Sequence, residues 1–447
     1  MMDGSAPPGP DRHPLFAPGF KTESYWAEGL PSAPACDPDP PNRADVVVIG
    51  SGYTGLNAAL ELARGGRGTV VLEVGDPGSG CSTRNGGQVH ASIMPGATRL
   101  LDRLGPRKTY AIVSEGPASV DWLDHLIGRE EIACDFARSG SFHAAHTPWH
   151  FDMLAREVEN GSDPGAKPAI LVTPQNLHTE IGSAQYFGGV VHPKDGALHP
   201  GKYHRGLLDR VISAGATVIA GCAALRLSRD GEDFEVETTR GRVRCRDVAI
   251  ATNGYTTSLT PWLKRRVVPI GSYVIATEPI DRGLVDRLLP TDRAITDTCK
   301  VIYYYRASPD RRRIVFGGRV SATETDPLVS GPRLHREMCR IFPELGNIGI
   351  SHSWCGSVAF SFDELPHIGV HEGMHYAMGY CGSGVAMASY LGMKMGRKVL
   401  GHANSATAFD DLVFQTRPFY YGEPWFLPAV VSWYRWKDAR ERRSAVR

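Results

Sequence analysis

An apolar run that meets three glycines at fixed spacing constrains this chain more than any other feature: Val46-Val47-Val48-Ile49-Gly50-Ser51-Gly52-Tyr53-Thr54-Gly55. Four β-branched residues predict a buried strand, and Leu56-Asn57-Ala58-Ala59-Leu60-Glu61-Leu62-Ala63 continues with apolar residues at helical spacing. Each glycine between them has a physical job. Gly50 permits a tight turn out of the strand, Gly52 leaves bare backbone that a pyrophosphate can approach, and Gly55 lets helix and strand pack closely. The helix start, with Tyr53 and Thr54 in it, exposes unpaired N–H groups and a partial positive charge, so it attracts phosphate without a basic side chain. The chain then returns through Thr69-Val70-Val71-Leu72 to Glu73, 21 residues after Gly52. That is close to the offset of about 20 residues at which an acid accepts from ribose hydroxyls. GxGxxG alone is a weak signal, but strand, turn, helix, strand and acid in this order predict a dinucleotide-binding βαβ unit.

At 447 residues the chain is too long for one ordinary core, so a second domain, for substrate, is expected. A net charge of +1, from 49 basic and 48 acidic residues, gives no electrostatic drive toward nucleic acid or membrane and points to a small-molecule partner. Nine scattered cysteines without a CxxC favour a reduced, cytoplasmic protein. No apolar stretch approaches the roughly 18 residues of a membrane span, and the start lacks a secretory pattern. Residues 1–43 are proline-rich and read as an extended arm, a tail over 1–20 and then Tyr25-Trp26 as its aromatic anchor. Strand-like runs at 216–220, 234–238 and 243–251 and a glycine cluster at 379–384 sit far from the first βαβ unit, so the two domains are expected to interleave.

Shortly after Glu73 comes Gly78-Ser79-Gly80-Cys81-Ser82-Thr83-Arg84-Asn85-Gly86-Gly87-Gln88, too rich in glycine for a buried strand or an ordinary helix. Together with the N-terminal fingerprint, this segment resembles the D-amino-acid oxidase superfamily of FAD-dependent amine oxidoreductases. Within it the chain is similar to the gamma-glutamylputrescine oxidase-like branch. The similarity rests on Ser24-Tyr25-Trp26, on the segments 196–203, 251–256 and 272–279, on Trp354-Cys355-Gly356 with 363–369, and on the terminal 418–428. The resemblance implies an α/β fold in which a Rossmann-like FAD-binding domain of the glutathione-reductase type interleaves with an α+β substrate domain built on a mainly antiparallel sheet. The expected division gives residues 44–100, 196–260 and 351–405 to the FAD-binding domain. The substrate domain takes 101–195 and 261–350, and 406–447 is a C-terminal segment.

The same resemblance implies site roles. Ser82, Thr83, Arg84, Asn85, Gly86 and Gln88 would lie along the pyrophosphate and the flavin ring, with Arg84 at the redox-active face. A guanidinium there can donate hydrogen bonds and tune the flavin. Backbone at Ala224 would meet the adenine side, and Thr252, Asn253 and Gly254 would skirt the cofactor at the end of a strand. Gly382, Ser383, Gly384 and Val385 form a second glycine-rich helix start, which would stabilise the negative charge that develops on the flavin. The superfamily's covalent-attachment cysteine position falls on Gly356, one residue from Cys355, so non-covalent FAD is expected. Tyr273, Tyr304, Arg306 and His367 are the substrate-side candidates, although Tyr303-Tyr304-Tyr305 also reads as a strand with one face in the core. No metal site is expected.

The implied reaction removes a hydride equivalent from the carbon beside a neutral primary or secondary amine, giving an imine that water hydrolyses. Reoxidation by O2 would yield H2O2, whereas a quinone or carrier would make the protein a dehydrogenase. The arginine with which sarcosine-type oxidases grip a carboxylate is replaced here by Gly87, which speaks against simple sarcosine. Two other classes stay open: a non-catalytic FAD-binding subunit, and a nicotinamide-linked dehydrogenase, against which the three glycine-rich segments argue, since a nicotinamide domain explains only the first. The oligomeric state is expected to be a monomer or homodimer.

Overall fold

The computed structural model describes residues 14–31, 34, 36–159, 169–319 and 325–445. The β-branched run forms the strand Arg43–Ile49, the helix Tyr53–Arg64 follows, and Thr69–Leu72 returns beside the first strand in parallel. Five strands run parallel in the order Met374–Met378, Gly241–Ile250, Arg43–Ile49, Thr69–Leu72 and Thr217–Ile219. Residues 46–49, 70–72 and 248–250 are wholly apolar and buried, as parallel strands covered on both faces require. The sheet reaches eight strands by an antiparallel meander at 224–250 and by His367–His371 beside Met374–Met378.

The second sheet has nine strands, and six of its eight neighbour pairs are antiparallel. Its strands come from 141–192, 267–318 and 350–361 and from the N-terminal Phe16–Lys21. The helix Pro327–Ile341 covers one face with Leu334, Met338 and Ile341 in a core that includes Tyr305, Phe316 and Tyr273. The expected Rossmann-like α/β domain, interleaved with a mainly antiparallel sheet, is therefore borne out.

Three expectations are corrected. Residues 16–21 are not a tail: they add a parallel edge strand to Ile350–Ser361. Residues 1–13 of the expected arm lie outside the described residues. The strand Ile350–Ser361 belongs to the nine-stranded sheet rather than to the dinucleotide part, because its partner along its full length is Val267–Thr277. The helical stretch Ala97–Arg129, broken at Gly105, runs the other way: Leu100, Ile112, Val120 and Leu123 join the core under Tyr53–Arg64 and Gly384–Val399, not the core of the second sheet. Pairing and packing partners decide such boundaries, and neither is written in local composition.

Candidate active site

At the carboxyl ends of Arg43–Ile49, Thr69–Leu72 and Gly241–Ile250 the chain opens a cavity of about 570 Å³. This is where an open parallel sheet binds ligands, outside the ends of its strands. Gly50 makes the turn with φ +104°, and a Cβ on it would stand 2.9 Å from Ala251 O. A Cβ on Gly55 would stand 1.8 Å from Gly50 O, so any side chain there would drive the helix off the turn. Glu73 accepts from Ser51 N at 3.0 Å, Ser51 Oγ at 2.6 Å and Gly75 N at 3.3 Å, which fixes its carboxylate at the mouth of the strand. Beside it, Ile219 O takes Glu73 N, and Cys222 N donates to Glu73 O, bringing Cys222 through Leu225 to the cavity wall.

Two helix N-termini face this space. Gly52 and Tyr53 open one, Gly382 and Gly384 the other. The two helices meet where Gly392 packs against Thr54 O, and Thr54 Oγ1 bonds Tyr380 OH at 2.6 Å. Their aligned peptide dipoles put partial positive charge at the cavity, an arrangement suited to phosphate and to a ring that gains electrons. Asn253 Oδ1 accepts from Gly379 N at 3.0 Å, tying the strand end at 252–253 to the second helix start.

The glycine-rich segment after Glu73 folds over the cavity and is held from behind. Ser82 Oγ accepts from Tyr53 N at 3.0 Å. Asn85 donates to Cys81 O and Ser82 O, and its own Oδ1 accepts from Gly87 N at 2.8 Å, closing a compact turn. Three consecutive carbonyls are then gripped from the far side. Ser24 Oγ donates to Thr83 O at 2.8 Å, Trp354 Nε1 to Arg84 O at 2.9 Å and Trp26 Nε1 to Asn85 O at 2.7 Å. Thus the N-terminal arm and a strand of the second sheet together fix the backbone that roofs the cavity.

Of the expected cofactor residues, the structure gathers Gly50, Gly52, Tyr53, Thr54, Glu73, Ser82, Asn85, Ala224, Thr252, Asn253, Gly382, Gly384 and Val385 around one cavity. Gly55, Thr83, Arg84, Gly86, Gln88, Gly254, Gly356 and Ser383 are neighbours in the same segments but do not line this cavity themselves. Thr83 Oγ1 donates to Gly78 O, Gln88 Nε2 reaches Ile295 O, and Gly254 O accepts from Ser357 Oγ. Ser383 N donates to Tyr380 O in the turn that opens the second helix. Arg84 Nη1 donates to Cys355 O at 3.2 Å.

Strand alternation sorts the substrate-side candidates. In Tyr303–Ala307, Tyr303 and Tyr305 enter the core of the second sheet, while Tyr304 faces the roof segment. Its ring lies against Gly86 and Gly317, its hydroxyl bonds Ser272 Oγ at 2.8 Å, and burial pushes it up to about 12. The other three expectations need correction. Tyr273 points into the core, on the opposite face from Ser272. Arg306 is buried, its guanidinium donating to Gly87 O and Leu198 O, and burial pulls it down to about 10; it holds backbone rather than facing the cavity. His367 is 1 % exposed, stacked on Phe414 and bonded to Asp363 at 3.0 Å within the dinucleotide sheet. Burial works to raise the Asp363 carboxyl, but its bond from His367 holds it below the ordinary value.

Sequence reasoning missed Tyr255, Leu259, Val358 and Tyr380 on the cavity wall. It also missed Arg319, whose guanidinium is pulled down by burial and lies near Tyr304 and over the Phe360 ring at 5.6 Å. Tyr380 had a signal, sitting two residues before Gly382. Val358 and Arg319 had none, because only the face of a strand decides them. Cys355 packs toward the core of the second sheet, whereas Gly356 faces Arg84 and Cys81. Burial pushes the Cys81 thiol up to about 11, so it stays protonated at neutral pH.

The model of the FAD dependent oxidoreductase family matches residues 45–397. The chain belongs to this family. The flavoprotein is 29 % identical to the probable oxidoreductase OrdL of Haemophilus influenzae, over 83 % of this chain and 86 % of that one. It is 28 % identical to the gamma-glutamylputrescine oxidoreductase of Escherichia coli, over 88 % and 92 %. The expected branch of the superfamily is thereby borne out. The crystal structure of glycine oxidase from Geobacillus kaustophilus superposes on the flavoprotein with a TM-score of 0.69 at 21 % identity, covering 85 % of this chain and 99 % of that one. Among the described residues no helix is long and apolar enough to cross a membrane. The cavity fits the family's cofactor: glycines where backbone must be bare, an anchored acid, and two helix N-termini.

Proposed function

We propose that the flavoprotein oxidises a primary or secondary amine at its C–N bond, giving an imine that hydrolyses to a carbonyl product, with O2 as the electron acceptor. The eight-stranded sheet and its helices act as the cofactor domain, and the nine-stranded sheet carries the substrate. FAD, when bound, supplies the hydride acceptor. The residues that would hold it non-covalently are the three fingerprint glycines, Glu73, the roof segment 82–88, Ala224, the 252–254 turn and the helix start at 382–385. The observation that carries this reading is the meeting of two elements. The roof of the cofactor cavity, built after Glu73, is gripped by the nine-stranded sheet through Trp354, and the half-buried face of that same sheet, with Tyr304, Ser272, Arg319 and Phe360, adjoins it.

That face suits an amine. Tyr304 and Ser272 share a hydroxyl pair that can accept from an N–H, and Phe360 and the Tyr304 ring offer apolar surface that favours the uncharged amine. Positioning then supplies much of the rate effect, and no dedicated general base is required. The relatives named as gamma-glutamylputrescine oxidoreductase and glycine oxidase support an amine or amino-acid substrate. Arg319 suits a substrate that also carries a carboxylate, since no acidic side chain among the described residues pairs with it.

An anaerobic titration of the purified FAD-loaded protein with a panel of amines tests this reading through the visible absorbance of the oxidised flavin. Bleaching by an amine, recovery in air and stoichiometric peroxide are the expected result. A flavin that no amine bleaches would refute the amine assignment, and bleaching that air does not reverse would replace the oxidase by a dehydrogenase.

A further inference from the structure

Beside the nine-stranded sheet, four segments converge on a cluster of ligating side chains. His146 follows the strand Ser141–Ala144, and His150 lies in the first turn of the helix Pro148–Glu159. Cys299 follows the strand Ala294–Asp297, and Asp438 and Glu441 project from the C-terminal helix Leu427–Ala445. The ligating atoms of His146, His150 and Glu441 all lie within 4.8 Å of one another, as do those of His146, Cys299 and Asp438. None of these residues lines the cavity.

Two buried polar atoms here lack a hydrogen-bond partner: His146 Nε2 and Glu441 Oε2, which face each other at 3.3 Å. A residue 4 % exposed does not leave a ring nitrogen unsatisfied without cost, about 1–3 kcal/mol for a neutral group. The opposite nitrogens are already engaged. His146 Nδ1 bonds Thr298 Oγ1 at 2.7 Å, and His150 Nδ1 bonds Thr147 Oγ1 at 2.7 Å. Each threonine oxygen also accepts the backbone N–H of the same histidine. This is the outer-shell pattern of metal-bound histidines, in which one nitrogen donates to a fixed partner and the other keeps its lone pair for the metal. The tautomer with Nδ1–H on both rings leaves both Nε2 atoms as ligands.

The C-terminal helix has a use for such a clamp. Only Leu427, Val431 and Asp438 of its 19 residues are buried, and Trp433 and Trp436 are exposed, so apolar burial alone holds it weakly. Asp438 ties it by accepting from Lys300 N and Val301 N, both at 2.9 Å. We propose that His146, His150 and Glu441 bind a divalent cation of the zinc type, with Cys299 or Asp438 beside the fourth position, and that this metal fastens the C-terminal helix to the nine-stranded sheet. Two imidazoles, a carboxylate and a neighbouring thiol are the ligand set that zinc prefers over calcium or magnesium. Glu441 is 27 % exposed, which leaves the ion a route in from solvent.

The test uses the full-length, FAD-loaded protein. After chelation it is incubated with Zn²⁺ or with Co²⁺ as a spectroscopic probe, desalted and assayed for metal by mass spectrometry. One metal per chain is expected, with the visible ligand-field bands of four-coordinate Co²⁺. His150→Gln and Glu441→Gln should each weaken binding at least about tenfold, and Thr298→Val by about 10- to 100-fold. Flavin content, unchanged in all three, shows that they fold. Chelation should also speed proteolysis within the C-terminal helix of the parent and not of Glu441→Gln. Absence of stoichiometric metal in the parent, or binding that none of the three variants weakens, would overturn the proposal. In that case His146 and Glu441 are a buried contact that holds no ion.

Discussion

Trp26→Phe separates a tryptophan that merely fills space from one that holds the cavity roof. The side chain is 0 % exposed and packs with Val274, Ala276, Val315 and Trp354, while its indole N–H donates to Asn85 O at 2.7 Å. Phenylalanine keeps most of the apolar contact but removes the donor, leaving a part-buried carbonyl without it, at a cost of about 1–3 kcal/mol. Asn85 lines the cavity and closes the turn to Gly87, so part of that cost reaches the cofactor. If about 1.4 kcal/mol of it is expressed only when the roof is ordered against FAD, the dissociation constant rises about tenfold. Trp354 grips the adjacent carbonyl, Arg84 O, so Trp26→Phe and Trp354→Phe should be non-additive by about 0.5 kcal/mol or more. The assay is titration of apoprotein with FAD by flavin fluorescence, beside thermal unfolding of the same apoprotein. An unchanged FAD affinity in a variant whose melting temperature falls would refute the reasoning and reduce Trp26 to core packing.

Four further outcomes follow from the geometry. Gly55→Ala should yield protein without flavin, because the added Cβ meets Gly50 O at 1.8 Å; the flavin-to-protein absorbance ratio reads this directly. Tyr304→Phe removes the bond to Ser272 Oγ and should lower kcat/KM for the amine about tenfold, roughly 1.4 kcal/mol, with flavin content retained. His367→Gln should lower the melting temperature and leave kcat unchanged in stopped-flow reduction, since His367 lies in the dinucleotide sheet away from the cavity wall. Glu130 is held down to about 2 by its bonds from Arg64 and then Arg129, so the stability it contributes is complete above the ordinary carboxylate value of 4.5. That contribution is lost as pH falls toward 2. With Arg64 and Arg129 42 % and 43 % exposed, its size is about 1 kcal/mol, and Glu130→Gln should flatten the acid limb of the stability profile in urea titrations.

How far the sequence could be read depended on how far apart the deciding contacts lie. The strand, turn, helix and acid from Val46 to Glu73 interact within one βαβ unit, so propensity, spacing and glycine sterics determine them together, and the cofactor class follows. The roof segment and the helix start at 382–385 were legible for the same reason, as glycine-rich backbone adjoining a helix or turn. Tertiary structure alone decided the rest. Tyr273, Tyr304 and Arg306 all lie on strands of one sheet, and alternation gives each a face only once its neighbours Val267–Thr277, Ile314–Gly318 and Ile350–Ser361 are paired in register. His367 looked like a site residue until Asp363 and Phe414 closed around it. The arm became a strand because Ile350–Ser361 offered a free edge, and His146, His150 and Glu441 met because helix Leu427–Ala445 docks nearly 300 residues downstream of the first of them. Local chemistry is written in consecutive residues; which side chains share a cavity depends on long-range packing that no short window of sequence contains.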